Sequence, residues 1–206
     1  MKLLVFGATG PTGIQILEQA LAGGHEVTAF ARTPSKIQLH NARLRVVSGN
    51  VLDESAVDRA MAGHDGVLVA LGTKLDGKDR TLSTGTRHIL KAMSAHGVHR
   101  LVIESAWGSG DSAQYGGFFL NKIIRPFLLK HPYAEHEIQE RDVAASDLDW
   151  TVVRPGRLTN QPRSRKLAGG RVPTGLKQKA ARSEVAEFML DEIEHRRFPK
   201  QAILIG

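Results

Sequence analysis

Short apolar runs alternate with segments of helical periodicity along the whole chain. The apolar runs have the length of strands, and between them apolar residues recur every three or four positions, as on one face of a helix. The predicted strands cover residues 2–6, 26–31, 44–48, 66–71, 100–104, 150–154 and 202–205. The predicted helices cover residues 12–23, 53–62, 80–97, 134–146 and 183–196, with a shorter helical segment near 117–129. This alternation predicts right-handed βαβ units and therefore an α/β fold with a doubly wound parallel sheet.

Turn-forming and capping residues mark the ends of these elements. Gly23 and Gly24 follow the first helix, and Asp53 and Ser183 stand where the side chain can cap the helix that follows. Residues 157–182 have the weakest periodicity and are predicted to form an irregular loop above the carboxyl edge of the sheet. With 206 residues, 41% of them hydrophobic, the chain is expected to form a single Rossmann domain over residues 1–206.

The first strand runs directly into a glycine-rich turn at residues 7–13, with the sequence Gly-Ala-Thr-Gly-Pro-Thr-Gly. In a dinucleotide-binding turn the first glycine permits a tight bend, the second lets backbone approach a pyrophosphate, and the third lets the helix pack closely on the strand. Free N–H groups and the helix dipole favour an anion at the start of the following helix. The turn therefore predicts a dinucleotide site, and a purely structural turn is the alternative.

Arg32 stands at the end of the second predicted strand, where Rossmann proteins that prefer NAD usually carry Asp or Glu for the ribose hydroxyls. Glu26 lies at the opposite end of that strand. Arg32, with Lys36 further along, is placed to contact a 2′-phosphate, which a guanidinium can bind with two hydrogen bonds. Two solvated surface cations are the alternative. The pattern favours NADP(H) over NAD(H).

Two further segments follow consecutive predicted strands and are suited to line a cofactor. Residues 49–53 follow the third strand, where backbone and a short polar side chain can meet an adenine edge. Residues 71–73 follow the fourth strand, and Gly72 permits close approach to the second ribose.

The net charge of +7 is distributed unevenly. Between Asp149 and Glu184 there is no acidic residue, and the basic residues of this stretch are Arg154, Arg157, Arg163, Arg165, Lys166, Arg171, Lys177, Lys179 and Arg182. They are interpreted as a basic rim over an anionic cofactor or substrate, or as a solvated loop. Nucleic acid is not an expected partner, because the stretch has neither a recognition helix nor interleaved aromatic residues.

Other features exclude whole classes of function. The chain has no cysteine, so it has no disulfide or thiolate chemistry, and a reducing cytoplasmic location is expected. No apolar run approaches membrane-spanning length. Its 9 histidines form no His-Glu-x-x-His pattern, and no metal site is expected. Either a monomer or a homodimer is compatible with the sequence.

Seven stretches resemble the atypical short-chain dehydrogenase/reductases with one Rossmann domain, NmrA-like in the broad sense, and among them the flavin/biliverdin reductases. These stretches are residues 6–13, 49–53, 57–65, 71–73, 85–89, 95–98 and 149–156. The resemblance covers nearly the whole chain and is strongest over residues 1–105. It implies a Rossmann fold and NADP(H) binding, and it is much less specific for the substrate.

The resemblance also implies roles for individual residues. The phosphate loop would comprise Gly7, Thr9, Gly10, Pro11, Thr12 and Gly13. The 2′-phosphate would bind Arg32 and Lys36, adenine would lie between Asn50 and Val51, and the ribose and nicotinamide would be lined by Leu71, Gly72 and Thr73. The nicotinamide would be covered by Pro155, Gly156, Arg157 and Leu158. Ser105 matches the active-site serine of the family.

The chain departs from related enzymes at two catalytic positions. Arg157 stands where the flavin/biliverdin reductases carry a histidine, and a guanidinium holds an anion but is a poor proton donor. The Tyr-x-x-x-Lys pair of many short-chain dehydrogenases is absent, since Phe119 and Glu137 stand four positions after Tyr115 and Tyr133.

The sequence therefore predicts an NADPH-dependent reductase that transfers hydride to a flat, conjugated acceptor such as a flavin or a quinone, with Ser105 and Arg157 at the reacting ring. Such a reaction needs alignment of two rings, and solvent can supply the proton. The alternative is an NmrA-like regulatory protein that senses NADP(H) without turnover.

Overall fold

The structure, a computed structural model, describes residues 1–115 and 129–206. The strands are β1 (Lys2–Phe6), β2 (Glu26–Ala31), β3 (Leu44–Ser48), β4 (Gly66–Val69), β5 (Arg100–Glu104), β6 (Asp149–Pro155), β7 (Arg157–Thr159), β8 (Gly169–Gly170), β9 (Lys179–Ala181) and β10 (Gln201–Ile205). The helices are α1 (Pro11–Ala22), α2 (Glu54–Met61), α3 (Thr81–His96), α4 (Lys130–Ala144) and α5 (Arg182–His195). Short 3-10 turns occupy Pro34–Lys36 and Gly110–Tyr115.

Eight strands form one sheet in the order β3-β2-β1-β4-β5-β6-β10-β8. The pairs are parallel except for β8, which runs antiparallel to β10. The chain passes from β1 outward to β3 and then returns to place β4 on the other side of β1. This reversal of strand order opens a crevice at the carboxyl ends of β1 and β4, where doubly wound folds bind ligands. The predicted α/β fold with a doubly wound parallel sheet is confirmed.

Apolar residues of the central strands are buried on both faces of the sheet. One core cluster joins Val5 to Ile16 of α1 and Met189 of α5. The other joins Phe6 to side chains of α2, α3 and α4, among them Met93. Because helices cover both faces, these strands read as continuous apolar runs rather than as alternating ones.

Most element boundaries agree with the sequence prediction. Asp53 caps α2 as predicted, whereas the predicted cap at Ser183 is wrong, because Ser183 lies inside α5 and its N-cap residue is Ala181. The bounds of β1, β2, β3 and β5 are the predicted ones. β4 ends at Val69 rather than at residue 71, because the chain turns away there to line the crevice. Helix α4 begins at Lys130 rather than at residue 134. The proline in its first turn is compatible with this earlier start, because the N–H that a proline lacks would have no intrahelical partner at that position. The helical segment predicted near 117–129 lies outside the described residues, apart from residue 129.

The segment 157–182 was predicted to be an irregular loop, and the structure adds three short strands to it. Strands β7 and β9 pair with each other in a separate parallel sheet, and β8 pairs with β10. These pairings join residues about twenty or more positions apart, so local periodicity does not reveal them. The rest of the segment is irregular.

A buried ion pair ties α5 to the middle of the sheet. Arg100 is 1% exposed, and its Nη2 donates to Glu192 Oε1 at 2.9 Å, while its Nη1 donates to Thr151 Oγ1 at 3.1 Å. Glu192 also accepts the backbone N–H groups of Arg197 and Phe198, at 3.1 and 3.0 Å. The carboxylate therefore joins β5, β6 and the chain that leads into β10.

We expect Glu192→Ala to lower the free energy of unfolding by about 3–5 kcal/mol, because it leaves a buried guanidinium without its main partner. Glu194→Ala is the matched control: its carboxylate pairs with His25 near the surface, and its loss should cost about 1 kcal/mol or less. Denaturant unfolding of both variants measures the difference. Equal losses would show that the buried pair does not contribute in the way argued.

Candidate active site

A cleft of about 270 Å³ lies at the carboxyl ends of β1, β2 and β4, where the strand order reverses. Eight of the residues predicted to bind cofactor line it: Gly7, Thr9, Gly10, Arg32, Val51, Leu71, Gly72 and Thr73. Among the lining residues that were not predicted to bind cofactor, Lys74, Asp79 and Thr81 have polar or charged side chains. Since these residues come from four separate parts of the chain, the cleft is a product of the strand order.

The three glycines of the β1–α1 turn occupy three different environments. Gly7 has a φ of +78°, and a Cβ there would lie 2.2 Å from the carbonyl oxygen of Ala70. A Cβ at Gly13 would lie 2.1 Å from the carbonyl oxygen of Gly7. Gly10 has ordinary extended dihedrals, with φ −76° and ψ 161°, and lines the cleft. A Cβ at Gly10 would lie 3.2 Å from the carbonyl oxygen of Gly7, which is tight but not prohibitive. Gly7 and Gly13 are therefore required by the backbone itself, whereas Gly10 is the least restricted of the three and faces the cleft.

The start of α1 is suited to a pyrophosphate. Gly10 is the N-cap residue and has no side chain to accept the first N–H groups of the helix, and Pro11 occupies the first helical position. Pro11 is exposed, while Thr12 and Gly13 are buried. The N–H groups of the first turn have no partner within the helix, and the helix dipole adds partial positive charge. The loop therefore fits the diphosphate of a dinucleotide.

The side chains predicted to contact the adenosine half are only partly brought together. Arg32 is exposed and lines the cleft at the end of β2, whereas Lys36 lies in the 3-10 turn outside the cleft lining. Val51 is buried and lines the cleft. Asn50 is exposed and outside the lining, and its side-chain oxygen accepts the N–H of Leu52 at 3.1 Å.

Ser105 follows β5 directly and is 5% exposed. Its hydroxyl donates to Glu140 Oε1 at 2.5 Å, and its oxygen lies 3.3 Å from His136 Nδ1. Glu140 in turn accepts from Arg154 Nε at 3.1 Å and from Arg154 Nη2 at 2.6 Å. Arg154 Nη1 donates to Asp111 Oδ1 at 2.6 Å. Ser105 is thus one end of a polar network that joins β5, α4, β6 and the 3-10 turn Gly110–Tyr115.

Burial acts on the titratable groups of this network in different ways. Burial alone would lower the pKa of Arg154, but the hydrogen bonds and charges of Glu140 and Asp111 raise that pKa above its ordinary value. Burial lowers the pKa of His136, with Gln139, Glu140 and Glu135 acting in the opposite direction. Arg154 is therefore a permanent cation, and the His136 imidazole is neutral at neutral pH.

The sequence analysis assigned no role to Glu140 or His136. It counted Arg154 in the exposed basic rim, which is wrong, because Arg154 is 5% exposed and pairs with Glu140 and Asp111. The only available signal was the spacing of His136 and Glu140, which places them one turn apart on α4. Tyr133, the one tyrosine on this helix, donates its hydroxyl to the carbonyl oxygen of Trp107 at 2.9 Å. The helix therefore presents a histidine and a carboxylate to Ser105.

The residues predicted to cover the nicotinamide follow or end β6. Pro155 is buried, and its carbonyl oxygen accepts the N–H of Trp107 at 2.9 Å. Gly156 is half-buried, and a Cβ there would lie 2.5 Å from the carbonyl oxygen of Gln178. Leu158 is half-buried against the core, and Arg157 is exposed with no acidic partner among the described residues. All four lie outside the lining of the cleft.

The carboxyl end of β5 also carries a buried carboxyl group, Glu104, which is 8% exposed. It accepts one side-chain hydrogen bond, from Thr12 Oγ1 in the first turn of α1, at 3.3 Å. Burial raises the pKa of Glu104 to about 7, although the Thr12 hydrogen bond and the charge of Arg182 act in the opposite direction. A titratable group therefore lies directly beneath the glycine-rich turn.

Within residues 1–115 and 129–206, no group of three or more His, Cys, Asp or Glu side chains is placed to hold a metal ion. In the same residues, no helix is both long enough and apolar enough to cross a membrane.

Comparison with known sequences identifies a cofactor-binding family. The sequence model of a family described as NAD(P)H-binding matches residues 7–196. Among curated proteins, sterol demethylase protein B of Methylococcus capsulatus is 28% identical over 175 residues, which are 77% of this chain and 52% of that protein. The chain thus spans about half the length of this relative.

Solved structures share the fold over the whole chain. ChuY of Escherichia coli O157:H7, described as an anaerobilin reductase, superposes with a TM-score of 0.79 and 21% identity, covering 100% of this chain and 96% of that chain. A short-chain dehydrogenase/reductase of Veillonella parvula in complex with NADP superposes with a TM-score of 0.80 and 18% identity, covering 100% of this chain and 94% of that chain. At these identities the likeness shows the fold.

The raised pKa of Glu104 predicts that the protein becomes less stable as the pH rises. This pKa is raised on folding, so the folded state binds the proton more tightly than the unfolded state, and stability falls as pH rises from 4.5 to about 7. The difference between these values corresponds to about 3 kcal/mol. We expect Glu104→Gln to lack this loss and to be more stable than wild type at about pH 8, where the native carboxylate is charged.

Denaturant unfolding between about pH 5 and about pH 8 measures the effect, and Glu18→Gln, at an exposed carboxylate of α1, is the control. Parallel pH profiles for wild type and Glu104→Gln would contradict the assignment.

Proposed function

The chain belongs to the family of NAD(P)H-binding proteins, and on that premise we propose that it is an NADPH-dependent reductase of a flat, conjugated acceptor such as a flavin or a quinone. The observation that carries the proposal is the cleft at the reversal of strand order, which brings the glycine-rich turn, Arg32 and the end of β4 together. Ser105 lies at the end of the next strand, β5. Ser105 lies outside the lining of the cleft, on the strand next to β4, where it could help to position an acceptor against the reactive ring of the cofactor.

The proposed contacts follow the glycine-rich turn and the strand ends. The first turn of α1 would bind the pyrophosphate through the loop residues Gly7, Thr9, Gly10, Pro11, Thr12 and Gly13. Arg32 would bind the 2′-phosphate, with Lys36 as a second cation nearby. Adenine would lie against Val51 and Asn50, and the ribose and nicotinamide would lie along Leu71, Gly72 and Thr73 toward the cover formed by Pro155, Gly156 and Leu158.

The reaction class follows from the groups near Ser105. Bound NADPH supplies the hydride. The only tyrosine of α4 uses its hydroxyl on a backbone carbonyl, and no lysine follows it by four positions, which argues against alcohol or carbonyl chemistry of the Tyr-x-x-x-Lys type. A conjugated ring needs alignment against the nicotinamide, and Ser105 can orient it through its hydroxyl. Arg157, an exposed cation, would attract an anionic acceptor.

A sensor that binds NADP(H) without turnover is the second candidate. It is favoured by the basic segment 157–182, where only Arg163 and Lys166 form ion pairs among the described residues. The other six cations have no carboxylate at ion-pair distance there, namely Arg157, Arg165, Arg171, Lys177, Lys179 and Arg182. Such a surface would suit an acidic macromolecule that responds to the bound nucleotide. A measurement of NADPH oxidation with a small acceptor distinguishes the reductase from the sensor.

We expect Arg32→Ala to weaken NADPH binding by roughly 10- to 150-fold, which corresponds to about 1.5–3 kcal/mol for a charge-assisted contact to the 2′-phosphate. NADH binding should change much less, because NADH lacks that phosphate. Calorimetric titration of both nucleotides measures the effect, with Arg59→Ala, on the exposed side of α2, as the control. Equal losses for the two nucleotides, or tighter NADH binding by wild type, would argue against NADPH as the cofactor.

We expect wild type to consume NADPH with a flavin or a quinone, and Gly10→Val to consume none. The Gly10 dihedrals are open to any residue, and the 3.2 Å contact of a Cβ with the Gly7 carbonyl oxygen requires a shift of only a few tenths of an ångström, so the variant should fold. The branched side chain should occupy the space of the pyrophosphate. Absorbance of NADPH with a panel of flavins and quinones measures turnover, and circular dichroism checks the fold. Wild type that binds NADPH but reduces no acceptor would favour the sensor.

A further inference from the structure

The hydrogen positions around Ser105 follow from the atoms that surround it. Ser105 has one hydroxyl hydrogen and two neighbours, Glu140 Oε1 at 2.5 Å and His136 Nδ1 at 3.3 Å. A carboxylate only accepts hydrogen bonds, so the serine hydrogen points toward Glu140. The serine oxygen is then left as an acceptor, and Nδ1 of His136 is left as the donor.

A second neighbour supports the same imidazole tautomer. Gln139 Nε2 donates to Thr86 Oγ1 at 3.2 Å, and the amide oxygen of Gln139 faces His136. That oxygen lies 3.3 Å from His136 Nδ1 and also accepts. Both partners of Nδ1 are therefore acceptors, and Nδ1 carries the hydrogen of the neutral ring. Nε2 has no hydrogen-bond partner among the described residues, and the ring is half-buried.

We infer that His136 and Ser105 form a proton relay that delivers a solvent proton to the reduced acceptor, with Glu140 as the residue that positions Ser105. The inference rests on the proposed reductase function and adds the source of the proton to it. The sequence analysis assigned the proton to solvent. The structure instead places the His136 imidazole against the hydroxyl that would face the acceptor.

In each turnover the relay takes up one proton from water and delivers one proton to the reduced acceptor. Hydride from the nicotinamide leaves negative charge on an oxygen or nitrogen of the conjugated acceptor. The Ser105 hydroxyl turns from Glu140 to this atom and gives up its proton, Nδ1–H of His136 replaces that proton, and Nε2 takes a proton from water. The ring then carries its hydrogen on Nε2, and release of that proton to water with uptake of another at Nδ1 restores the resting tautomer. The acceptor thereby gains a hydride and a proton, and the nicotinamide is oxidised by two electrons. This favours acceptors whose reduction creates such an anion, as in flavins and quinones.

The rotation of the Ser105 hydroxyl away from Glu140 should cost little free energy. The two oxygens of Glu140 keep the two hydrogen bonds from Arg154 when the hydroxyl turns away, so no buried charge is left without a partner. The same network shows why a purely structural role does not account for His136. Glu140 and Arg154 already tie α4 to β6, and the imidazole contributes no ion pair to that connection among the described residues.

The charges that face His136 determine its response to pH. Glu135 and Glu140 lie on its own helix, Arg154 on β6 and Asp111 in the neighbouring 3-10 turn, and Glu140 and Arg154 compensate each other. Because burial outweighs the carboxylates, the pKa of His136 lies below its ordinary value of 6.5. An imidazolium is a stronger proton donor than the neutral ring, so the rate should rise as pH falls through this pKa.

The first test does not require turnover. Heteronuclear NMR of the imidazole nitrogens in the ligand-free protein should show His136 as the Nδ1–H tautomer at neutral pH, with a pKa below 6.5. Glu140→Gln removes a charge that raises this pKa, so the pKa should fall further in that variant. An Nε2–H tautomer, or a ring that Ser105→Ala leaves unchanged, would overturn the relay whether or not the protein is a reductase.

The second test measures single-turnover oxidation of NADPH by a quinone across pH. His136→Gln should lower the rate by about 100-fold and abolish its rise at low pH, while the Kd of NADPH stays within about 2-fold of wild type. His96→Gln, at the far end of α3, is the control and should retain both the rate and the profile. If Glu140→Gln does not fold, His136→Gln alone decides.

The outcomes separate the two proposals. Wild type that binds NADPH but reduces no acceptor removes the reductase function and with it the relay. Turnover that His136→Gln leaves unchanged in rate and in pH profile removes the relay and leaves the reductase function standing.

Discussion

The close approach of the β1–α1 turn to the end of β4 is the constraint on which the rest of the structure depends. The backbone of Gly7 lies so near Ala70 that a Cβ would come within 2.2 Å of its carbonyl oxygen, and Gly13 lies equally near Gly7. These contacts bring the first turn of α1 to the carboxyl edge of the sheet between β1 and β4. The same contacts leave the unpaired N–H groups of that turn at the cleft, so one backbone arrangement serves both packing and anion binding.

A buried ion pair near Ser105 supports the fold and does not depend on the side chains that would take part in the reaction. Glu140 and Arg154 form a buried pair between α4 and β6, and Asp111 adds the 3-10 turn to it. Ser105 lies at the edge of this pair and donates one hydrogen bond to Glu140, and His136 contacts Ser105 rather than the pair itself. Because the pair remains satisfied without them, the two side chains are free to exchange protons without loosening the fold.

Part of the uneven charge of the sequence is neutralised by ion pairs within the molecule. The acidic side chains of α5 neutralise part of the basic segment: Glu187 binds Arg163 at 2.7 Å and Asp191 lies 3.5 Å from Lys166. Glu184 accepts the N–H groups of Ser164 and Arg165, which anchors the segment at the start of α5. Part of the basic stretch is therefore neutralised by the helix that follows it, and its remaining cations include residues in or next to β7, β8 and β9, such as Arg157, Arg171 and Lys179.

The sequence by itself determined the α/β fold, most element boundaries and the position of the glycine-rich turn, because periodicity, glycine spacing and helix-capping residues act between near neighbours in the chain. It also placed Arg32 at a strand end, from which the structure brings it to the cleft. Only the tertiary structure decided that His136 meets Ser105, 31 positions away, and that Glu104 is buried against Thr12, 92 positions away. Such contacts depend on how α4 and α1 pack against the ends of the sheet, and no local pattern of residues records that packing.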